Sequence, residues 1–406
     1  MTTPLRDLIK NPSPAELELV ARYAMQPEDA RRERAFTAFA ATGLPHRRME
    51  NWRWSDFKAK VQAVENPAKP SARDPLAEGA AAVFRFTPKG FEYPDKLPAG
   101  LNMFAKAEVQ ALGAAEEMPL GALAAALSGS AERPATLMLE VTGSDMPRIH
   151  FAFEGEGEAN FARVIVLIRP GAALTVSESY TGGAGFSSIL FEYGLQDKAQ
   201  LDRVVYQSGA DDEAIAVTAA INLDEAAEAR QTVLAFGAKI ARIETRVTHQ
   251  KENAKAVLNA AYLAGAGKHI DLTSHVRHGA QRCVTEQITK GAVLDGGTGV
   301  FQGKFHVPRK AGQYTSADMQ HQALLLEQGA TVFAKPELEI YADDVECAHG
   351  NTCGALDENQ LFYMRQRGIP EAEARALLTR AFVMEALEGA GMLGDILAHE
   401  VSTWLD

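Results

Sequence analysis

Residues 186–209 read FSSILFEYGLQDKAQLDRVVYQSG, and this stretch shows the pattern that decides the fold. An apolar run is followed by a short polar segment that ends in alanine, and a second apolar run follows. We interpret the pattern as two strands joined by a polar corner. The pattern recurs, because the stretch can be laid over residues 162–179, 216–238, 241–267 and 269–292.

Small residues mark the predicted corners at intervals of 25 to 30 residues. A strand repeat of this length favours a β-solenoid, in which each coil buries its apolar face against the neighbouring coils. Sandwiches and jelly rolls also contain regularly spaced strands, so they remain the alternative all-β architectures. The predicted corner residues are Ala172, Ala199, Ala229, Ala254, Ala280 and, less regularly, Gly312.

The N-terminal part of the chain predicts a helical lobe. Ser13 and Glu16 have the spacing of a capping box at a helix start, and a second helix is expected to begin at Pro27. Residues 43–57 contain two of the three tryptophans and are interpreted as a packed elbow. Residues 66–79 are rich in proline, alanine and charge, and they are expected to form a linker or exposed loop.

Residues 335–368 read KPELEIYADDVECAHGNTCGALDENQLFYMRQRG and combine strand, turn and helix signals. Alternating side chains predict a strand that is interrupted at Asp343 and Asp344. If the chain is extended again after this turn, Cys347 and His349 share one strand face. A thiol and an imidazole placed in this way can reach the same metal ion.

Gly350 and Gly354 are expected to end this segment, and Asp357 is expected to cap a helix that stops at Gly368. A second C-terminal helix is predicted to begin near Pro370. Its expected apolar stripe contains Ala374, Leu377, Leu378, Ala381 and Phe382. The predicted division of the chain is an N-terminal helical and mixed lobe (1–135), a β-solenoid core (136–354) and a C-terminal helical lobe (355–406).

The composition is that of an ordinary soluble globular protein, with 46% hydrophobic and 23% charged residues among 406. The net charge of −12 argues against nucleic acid and anionic membrane surfaces as partners. Three cysteines do not suggest a disulfide framework, and the N-terminus lacks the apolar segment of a signal peptide. We therefore expect a cytoplasmic protein without a membrane span.

Other chemical sites find little support in the sequence. Residues 296–305, GGTGVFQGKF, lack the glycine spacing and the Ser or Thr of a phosphate-binding loop. Motifs of serine and zinc hydrolases are absent. Cys283 lies in an apolar repeat and is expected in the core. Five histidines are interpreted as hydrogen-bonded or exposed residues rather than ligands, namely His269, His275, His278, His306 and His321.

The stretch 335–369 closely resembles the C-terminal signature of the SufB/SufD family, the scaffold proteins of the Suf iron–sulfur cluster assembly machinery. The motif C-x-H-G-x-T-x-G-x-L-D, which begins at Cys347, is similar to the SufD branch. Residues 43–57 resemble a motif near the N-terminus of the same family. The resemblance implies a right-handed parallel β-helix flanked by helical lobes, in agreement with the solenoid that the repeat predicts.

The resemblance also implies partners and a site. A SufB-like paralogue would bind the end of the β-helix, and a SufC-like ABC-type ATPase would bind the C-terminal helices. A homodimer is a further expectation for the isolated chain. Cys347 and His349 would lie at the interface with the paralogue, where iron or a nascent cluster binds transiently, and no tightly bound cofactor is expected. No role is inferred for Cys353. The residues expected to bind the ATPase are Leu361, Phe362, Tyr363, Arg365, Leu378 and Phe382.

On this reading the protein is a scaffold subunit without catalytic turnover of its own. Two alternatives remain open at this point. One is a SufB-like, cluster-carrying role within the same family. The other is a carbohydrate-active enzyme built on a β-helix, although such enzymes use a basic, aromatic-lined groove and this chain is acidic with 7% aromatic residues.

Overall fold

The strand-forming repeats stack into two long sheets. The computed structural model describes residues 9–65, 73–87, 90–104, 118–128, 135–145, 147–154, 159–182 and 185–406. The strands are β1 (Ala82–Thr87), β2 (Gly90–Glu92), β3 (Leu101–Phe104), β4 (Thr136–Val141), β5 (Ile149–Phe153), β6 (Phe161–Ile168), β7 (Ala173–Tyr180), β8 (Phe186–Leu195), β9 (Gln200–Gln207), β10 (Ala214–Leu223), β11 (Glu228–Ala235), β12 (Ile240–His249), β13 (Lys255–Ala264), β14 (His269–His278), β15 (Val284–Val293), β16 (Thr298–Val307), β17 (Ser316–Leu325), β18 (Thr331–Ile340) and β19 (Glu346–Gly354).

Consecutive strands alternate between the two sheets. Strands β5 to β19 with odd numbers form one sheet together with β1 and β2, and the even-numbered strands β4 to β18 form the other together with β3. Neighbours within a sheet are therefore one full coil apart in the chain. Their pairing is parallel, and only the β1–β2 and β3–β4 pairs among the described strands are antiparallel. The fold is a parallel β-helix, which confirms the predicted solenoid against the sandwich and the jelly roll.

The corners of the coils form a ladder of their own. The carbonyl of Ala172 accepts a hydrogen bond from the N–H of Gln200 at 2.9 Å, and the same bond recurs in every later coil. The corner residues are all buried because each lies directly on the corner of the preceding coil. They are Ala172, Ala199, Ala227, Ala254, Cys283 and Thr315.

Three of the predicted corner residues are therefore wrong. Ala227 occupies the corner in place of Ala229, which lies within β11, and Cys283 occupies it in place of Ala280. Thr315 takes the position predicted for Gly312. In each corner, the residue just before the small buried residue has a positive φ angle, in the left-handed region of backbone conformation. The spacing of alanines in the sequence does not reveal this conformation. These left-handed residues are Gly171, Lys198, Ala226, Asn253, Arg282 and Tyr314.

The N-terminal helices cover the outer face of the even-numbered sheet. They are α1 (Pro14–Ala24), α2 (Ala30–Thr42), α3 (Phe57–Lys60) and α4 (Pro119–Leu127), with a 3₁₀ turn at Glu50–Trp52. The predicted capping box is confirmed, because Ser13 and Glu16 exchange both hydrogen bonds. The second helix is capped by Asp29 rather than opened by Pro27. The elbow is packed as predicted, with Trp52 buried beneath the Arg242 guanidinium at 3.8 Å.

The chain between the N-terminal lobe and β1 lies against the odd-numbered sheet. Residues 66–72 lie outside the described part, and 73–79 form an irregular linker that is exposed at its two ends but is fixed to the solenoid in its middle. Leu76 is fully buried, and Asp74 accepts a hydrogen bond from His150 Nε2 at 2.8 Å. Arg148 donates to the carbonyls of Leu76 and Glu78. This segment is therefore fixed to the first coils.

The C-terminal helices pack on the outer face of the odd-numbered sheet. They are α5 (Glu358–Gln366), α6 (Glu371–Met384) and α7 (Gly394–Leu405), with a 3₁₀ segment at Glu385–Leu393. They share an apolar cluster with Val204, Tyr206 and Leu234. The predicted stripe of α6 is partly wrong, because Leu377 is exposed while Val383 is buried. None of the described helices combines the length and apolar character of a membrane span.

Candidate functional site

Both sheets end at the same coil, and this end of the solenoid is open. Strand β18 is the last strand of one sheet and β19 is the last strand of the other. The turn predicted at Asp343 and Asp344 separates them. Strand β19 passes through Gly350 and ends at Gly354, the second of the two glycines that were expected to end this segment. No further strand of the described chain covers this edge, so the terminal coil is the exposed end of the β-helix.

The side chains of β19 that point between the two sheets are Cys347, His349, Asn351 and Cys353, which we name the terminal row. In the register they lie on residues of β17 that are buried in the core, namely Ala317, Met319, His321 and Ala323. Members of the terminal row face the same interior, but no coil follows to cover them. Cys347 is half-buried and the other three are exposed. Ligand-type side chains are therefore accessible at positions that are buried in the preceding coil.

Cys347 and His349 share this face, as the alternation predicts. Two residues on a strand are about 7 Å apart along the chain, so a thiol and an imidazole can converge on one ion. Burial raises the pKa of the Cys347 thiol, and a metal ion must therefore displace its proton. His349 is exposed, and it has no hydrogen-bond partner among the residues that the structure describes.

Cys353 lies too far along the strand to join them. Six residues of extended chain span about 20 Å, which no single ion bridges. In the described part of the chain, no group of three or more His, Cys, Asp or Glu side chains is arranged to hold a metal ion. Of the terminal row, only Cys347 and His349 lie close enough along the strand to reach the same ion.

The terminal row is tied to the interior by His321, which the sequence reading treated as a lone histidine. Its Nδ1 is 2.6 Å from Asn351 Oδ1, and its Nε2 is 3.0 Å from the Tyr262 hydroxyl. The ring stacks on Phe301 with centroids 4.6 Å apart. Burial lowers the pKa of His321 to about 4, so it is neutral near pH 7. This hydrogen bond orients β19. In the sequence, the only indication of it is the alternation of side chains that places His321 on the inward face of its strand.

The residues predicted to bind an ATPase divide into exposed and packed groups. Phe362 and Tyr363 are 64% and 60% exposed on α5, and the Arg365 side chain is also exposed. Leu361 is buried, with Leu378 and Phe382 partly buried around it, so these three hold the helices together. Any docking contact on α5 therefore falls to the exposed group.

A serine, a histidine and an aspartate do meet elsewhere, but in a sealed place. Ser55 Oγ lies 3.0 Å from His269 Nε2 and also donates to Asp271. Ser55 is fully buried, and Asp271 is held by Arg242 at 2.8 Å. The carboxylate bonds the serine rather than orienting the histidine, and no substrate reaches the hydroxyl. The cluster fastens the tryptophan elbow to the solenoid.

Comparison with known proteins identifies the family. The family model described as "SUF system FeS cluster assembly, SufBD core domain" matches residues 151–382, which is more than half of the chain. This chain belongs to the SufBD family. The matched SufBD core begins within β5 and ends within α6, and it includes the terminal row and the exposed face of α5.

Several known proteins are similar to this chain. It is 28% identical to the iron–sulfur cluster assembly protein SufD of Escherichia coli over 388 residues, which cover 88% of this chain and 89% of SufD. It is 32% identical to a SufBD family protein of Synechocystis over 241 residues, 56% of this chain and 52% of that protein. It is 30% identical to the chloroplast protein ABCI7 of Arabidopsis thaliana over 231 residues, 56% of this chain and 48% of that protein. This chain spans only about half of the length of the Synechocystis protein and of ABCI7.

Proposed function

We propose that this chain is a SufD-like scaffold subunit of a cytoplasmic iron–sulfur cluster assembly complex, without catalytic turnover of its own. It pairs with a SufB-like paralogue through the open end of the solenoid, and a SufC-like ABC-type ATPase binds its C-terminal helices. Iron or a nascent cluster is held transiently at the interface with the paralogue. The observation that carries this proposal is the exposed terminal row with its adjacent thiol and imidazole.

The chemistry of the terminal row suits a cargo that has to leave again. Thiolate and imidazole are both ligands of iron and of iron–sulfur clusters. One chain offers only Cys347 and His349 to the same ion, so the ion remains incompletely coordinated until sulfide or the partner supplies the other ligands. A resident metal centre would instead show a closed set of protein ligands. This incomplete set supports transient binding of iron as cargo.

The test of this site is the iron and sulfide content of the assembled complex. His349→Ala, expressed with the paralogue and the ATPase, is expected to assemble normally and to carry less iron and sulfide per complex than the wild type. Cys347→Ser is expected to give a similar or smaller loss. Thr352→Ala is the matched control, because Thr352 lies on the same strand but points away from the terminal row. An unchanged iron content in His349→Ala would refute the assignment.

The ATPase contact is assigned to the exposed face of α5. Phe362 and Tyr363 are large apolar side chains in solvent, which is typical of a surface that a partner covers. Replacing both by alanine is expected to abolish co-elution of the ATPase while the paralogue remains bound. Met392→Ala is the control, because Met392 is 77% exposed outside α5. Equal loss of the ATPase in the control, or retention of the ATPase in the double variant, would contradict this assignment.

A further inference from the structure

A cleft lies on the outer face of the odd-numbered sheet, between the linker at 73–79 and helix α7. Its volume is about 680 Å³. Small-molecule sites in proteins commonly have about 300–1,000 Å³, so the cleft is large enough for a whole ligand. None of the described residues that line it belongs to the terminal row or to α5. The proposed function therefore leaves this cleft without a role.

The floor of the cleft is aromatic. Tyr206 near the end of β9 and Phe236 just after β11 meet edge to face, with ring centroids 5.5 Å apart. Phe236 is half-buried, and the buried Tyr206 donates its hydroxyl proton to Glu400 Oε2 at 2.6 Å. Burial and this hydrogen bond raise the pKa of Tyr206, so the phenol stays neutral near pH 7. The floor therefore presents neutral rings, whose faces attract cations.

Both walls of the cleft are held in place before any ligand arrives. Hydrogen bonds to His150 and from Arg148 fasten the linker to the first coils. Helix α7 forms the other wall and buries Leu397 and Val401 in the apolar cluster on the odd-numbered sheet. Since neither wall has to become ordered on binding, a ligand loses little affinity to rearrangement of the protein.

The walls carry more negative than positive charge. Three carboxylates line the cleft, those of Glu78 from the linker and of Asp395 and Glu400 from α7. None of the three forms a salt bridge with another described residue. Against them the described lining offers the guanidinium of Arg73 and the imidazole of His399. A cation that enters the cleft therefore finds unpaired carboxylates beside an aromatic floor.

We infer that this cleft binds a small organic cation, with an amidinium, guanidinium or ammonium group on a flat apolar body. The apolar body lies against Phe236, and the cationic group is attracted by Glu78 and Asp395. A neutral molecule of the same shape gains only the apolar contact, and an anion is repelled by the excess of carboxylates. The floor has a wall on each side, which favours a compact ligand over an extended peptide.

Calorimetric titration of the full-length chain with benzamidine tests the inference. Benzamide is the matched neutral probe, because it has nearly the same shape without the charge. Benzamidine is expected to bind saturably, and benzamide is expected to bind at least about tenfold more weakly. Equal affinities would overturn recognition of the charge. A benzamidine titration without saturation would overturn the site.

Charge variants with opposite expected effects separate recognition from damage to the fold. Glu78→Gln and Asp395→Asn are each expected to weaken benzamidine binding about two- to five-fold, as contacts of exposed charges do. Arg73→Gln is expected to strengthen it by a similar factor, because it removes a like charge. Damage to the cleft would weaken binding in all three variants. Unchanged or weaker binding in Arg73→Gln would overturn the electrostatic part of the inference.

The aromatic floor is tested by Phe236→Leu, which keeps an apolar side chain but removes the ring. This variant is expected to weaken benzamidine binding about three- to ten-fold. Phe333→Leu is the matched control, because Phe333 is a partly exposed phenylalanine of β18 outside the cleft. Equal binding in the two variants would overturn the role of the floor. A capped Gly-Arg-Gly peptide that binds more tightly than benzamidine would overturn the assignment to a free small molecule.

Discussion

Arg203 in β9 and His349 in β19 occupy the same position in different coils. They belong to one column of aligned residues, which contains Arg203, Gln231, Leu258, Gln287, Met319 and His349. Arg203 is fully buried, and its guanidinium donates two hydrogen bonds to Glu178 at 2.6 and 2.7 Å. His349 is exposed at the end of the same column. Equal positions in the repeat therefore have opposite environments.

The difference teaches what an inward position means in a solenoid. In a closed coil the inward side chain has neighbours above and below, so a charged group there must be fully paired. The Glu178 carboxylate meets this requirement, because it also accepts hydrogen bonds from Tyr180 and Tyr193. In the terminal coil no further strand of the described residues lies on the inward side chain, which is therefore exposed. The same geometry thus buries and pairs side chains in the middle of the solenoid and leaves them exposed at its end.

The largest loss of stability is expected from removing a buried ion pair of this column, in the coils that are covered on both sides. Arg203→Ala leaves the Glu178 carboxylate buried without its counter-charge, which is expected to cost about 3–5 kcal/mol of unfolding free energy. Urea unfolding of the full chain measures the loss. Arg230→Ala is the control, because the Arg230 side chain is 60% exposed on the outer face of β11. A loss in Arg203→Ala as small as that in the control would show that the buried pair does not stabilise the coil.

A larger side chain is expected to destabilise the protein more at a buried corner in the middle of the solenoid than at its open end. Ala254 is fully buried between the corners of two neighbouring coils. Ala254→Phe is expected to overpack this corner and to cost about 1–3 kcal/mol. Ala348→Phe is the matched change at the open end, where Ala348 is exposed and points away from the core. The two midpoints of urea unfolding should differ, and equal midpoints would contradict the ladder of corners.

Carboxyl groups of the two regions are expected to respond to pH with opposite sign. Burial raises the pKa of Glu213 to about 8 in the closed part of the solenoid. The folded state then retains a proton that the unfolded state has lost, so unfolding free energy falls by about 1.4 kcal/mol per pH unit from about pH 4.5 to about pH 8. Glu213→Gln should remove this slope in unfolding curves taken across the same range.

Glu339 in the terminal coil provides the comparison. Its hydrogen bond from Lys304, supported by His306, lowers the pKa of this carboxyl. Its small contribution to stability is therefore present above the unfolded pKa and is lost as the pH falls below it. Glu339→Gln should leave the slope between pH 4.5 and pH 8 as it is in the wild type. If Glu339→Gln removed that slope and Glu213→Gln did not, the assignment of the slope would be wrong.

The smallest effect on stability is expected at the terminal row. His349→Ala should change the unfolding free energy by less than about 0.5 kcal/mol, because the side chain is exposed and unpaired among the described residues. His321→Ala, one coil deeper, should cost about 1–3 kcal/mol because it removes the partner of the buried Tyr262 hydroxyl. Thermal or urea unfolding of both variants measures the contrast. A large loss in His349→Ala would mean that His349 is a packing residue.

The sequence predicted the class of fold, and it predicted that Cys347 and His349 share one face of a strand. Strand alternation and the recurring small corner residues identified the solenoid, and the Ser13–Glu16 box identified the first helix. The same alternation placed Cys347 and His349 on one face. These predictions succeeded because side-chain direction along a strand and hydrogen bonding at a helix start depend on residues within a few positions of one another.

Other features could not be predicted from the sequence because they depend on contacts between segments that are distant in the chain. The spacing of corner residues changes from 27 between Ala172 and Ala199 to 32 between Cys283 and Thr315, so no fixed period identifies the true corners. The composition of residues 66–79 predicted a linker or exposed loop, but it gave no sign that Asp74 in this linker accepts a hydrogen bond from His150. Both features depend on how neighbouring coils and the linker are aligned with one another. Local sequence patterns do not encode that alignment.

The sequence by itself determined that the chain forms coils of paired strands between helical lobes, and that its last strand carries a thiol and an imidazole facing inward. Only the tertiary structure decided that the inward-facing side chain of Arg203 is buried, whereas the inward-facing side chain of His349 is exposed. The physical reason is that alternation fixes the direction of a side chain relative to its own strand, whereas burial depends on the next coil. At β19 that coil is missing from the described chain, and the inward face becomes a surface.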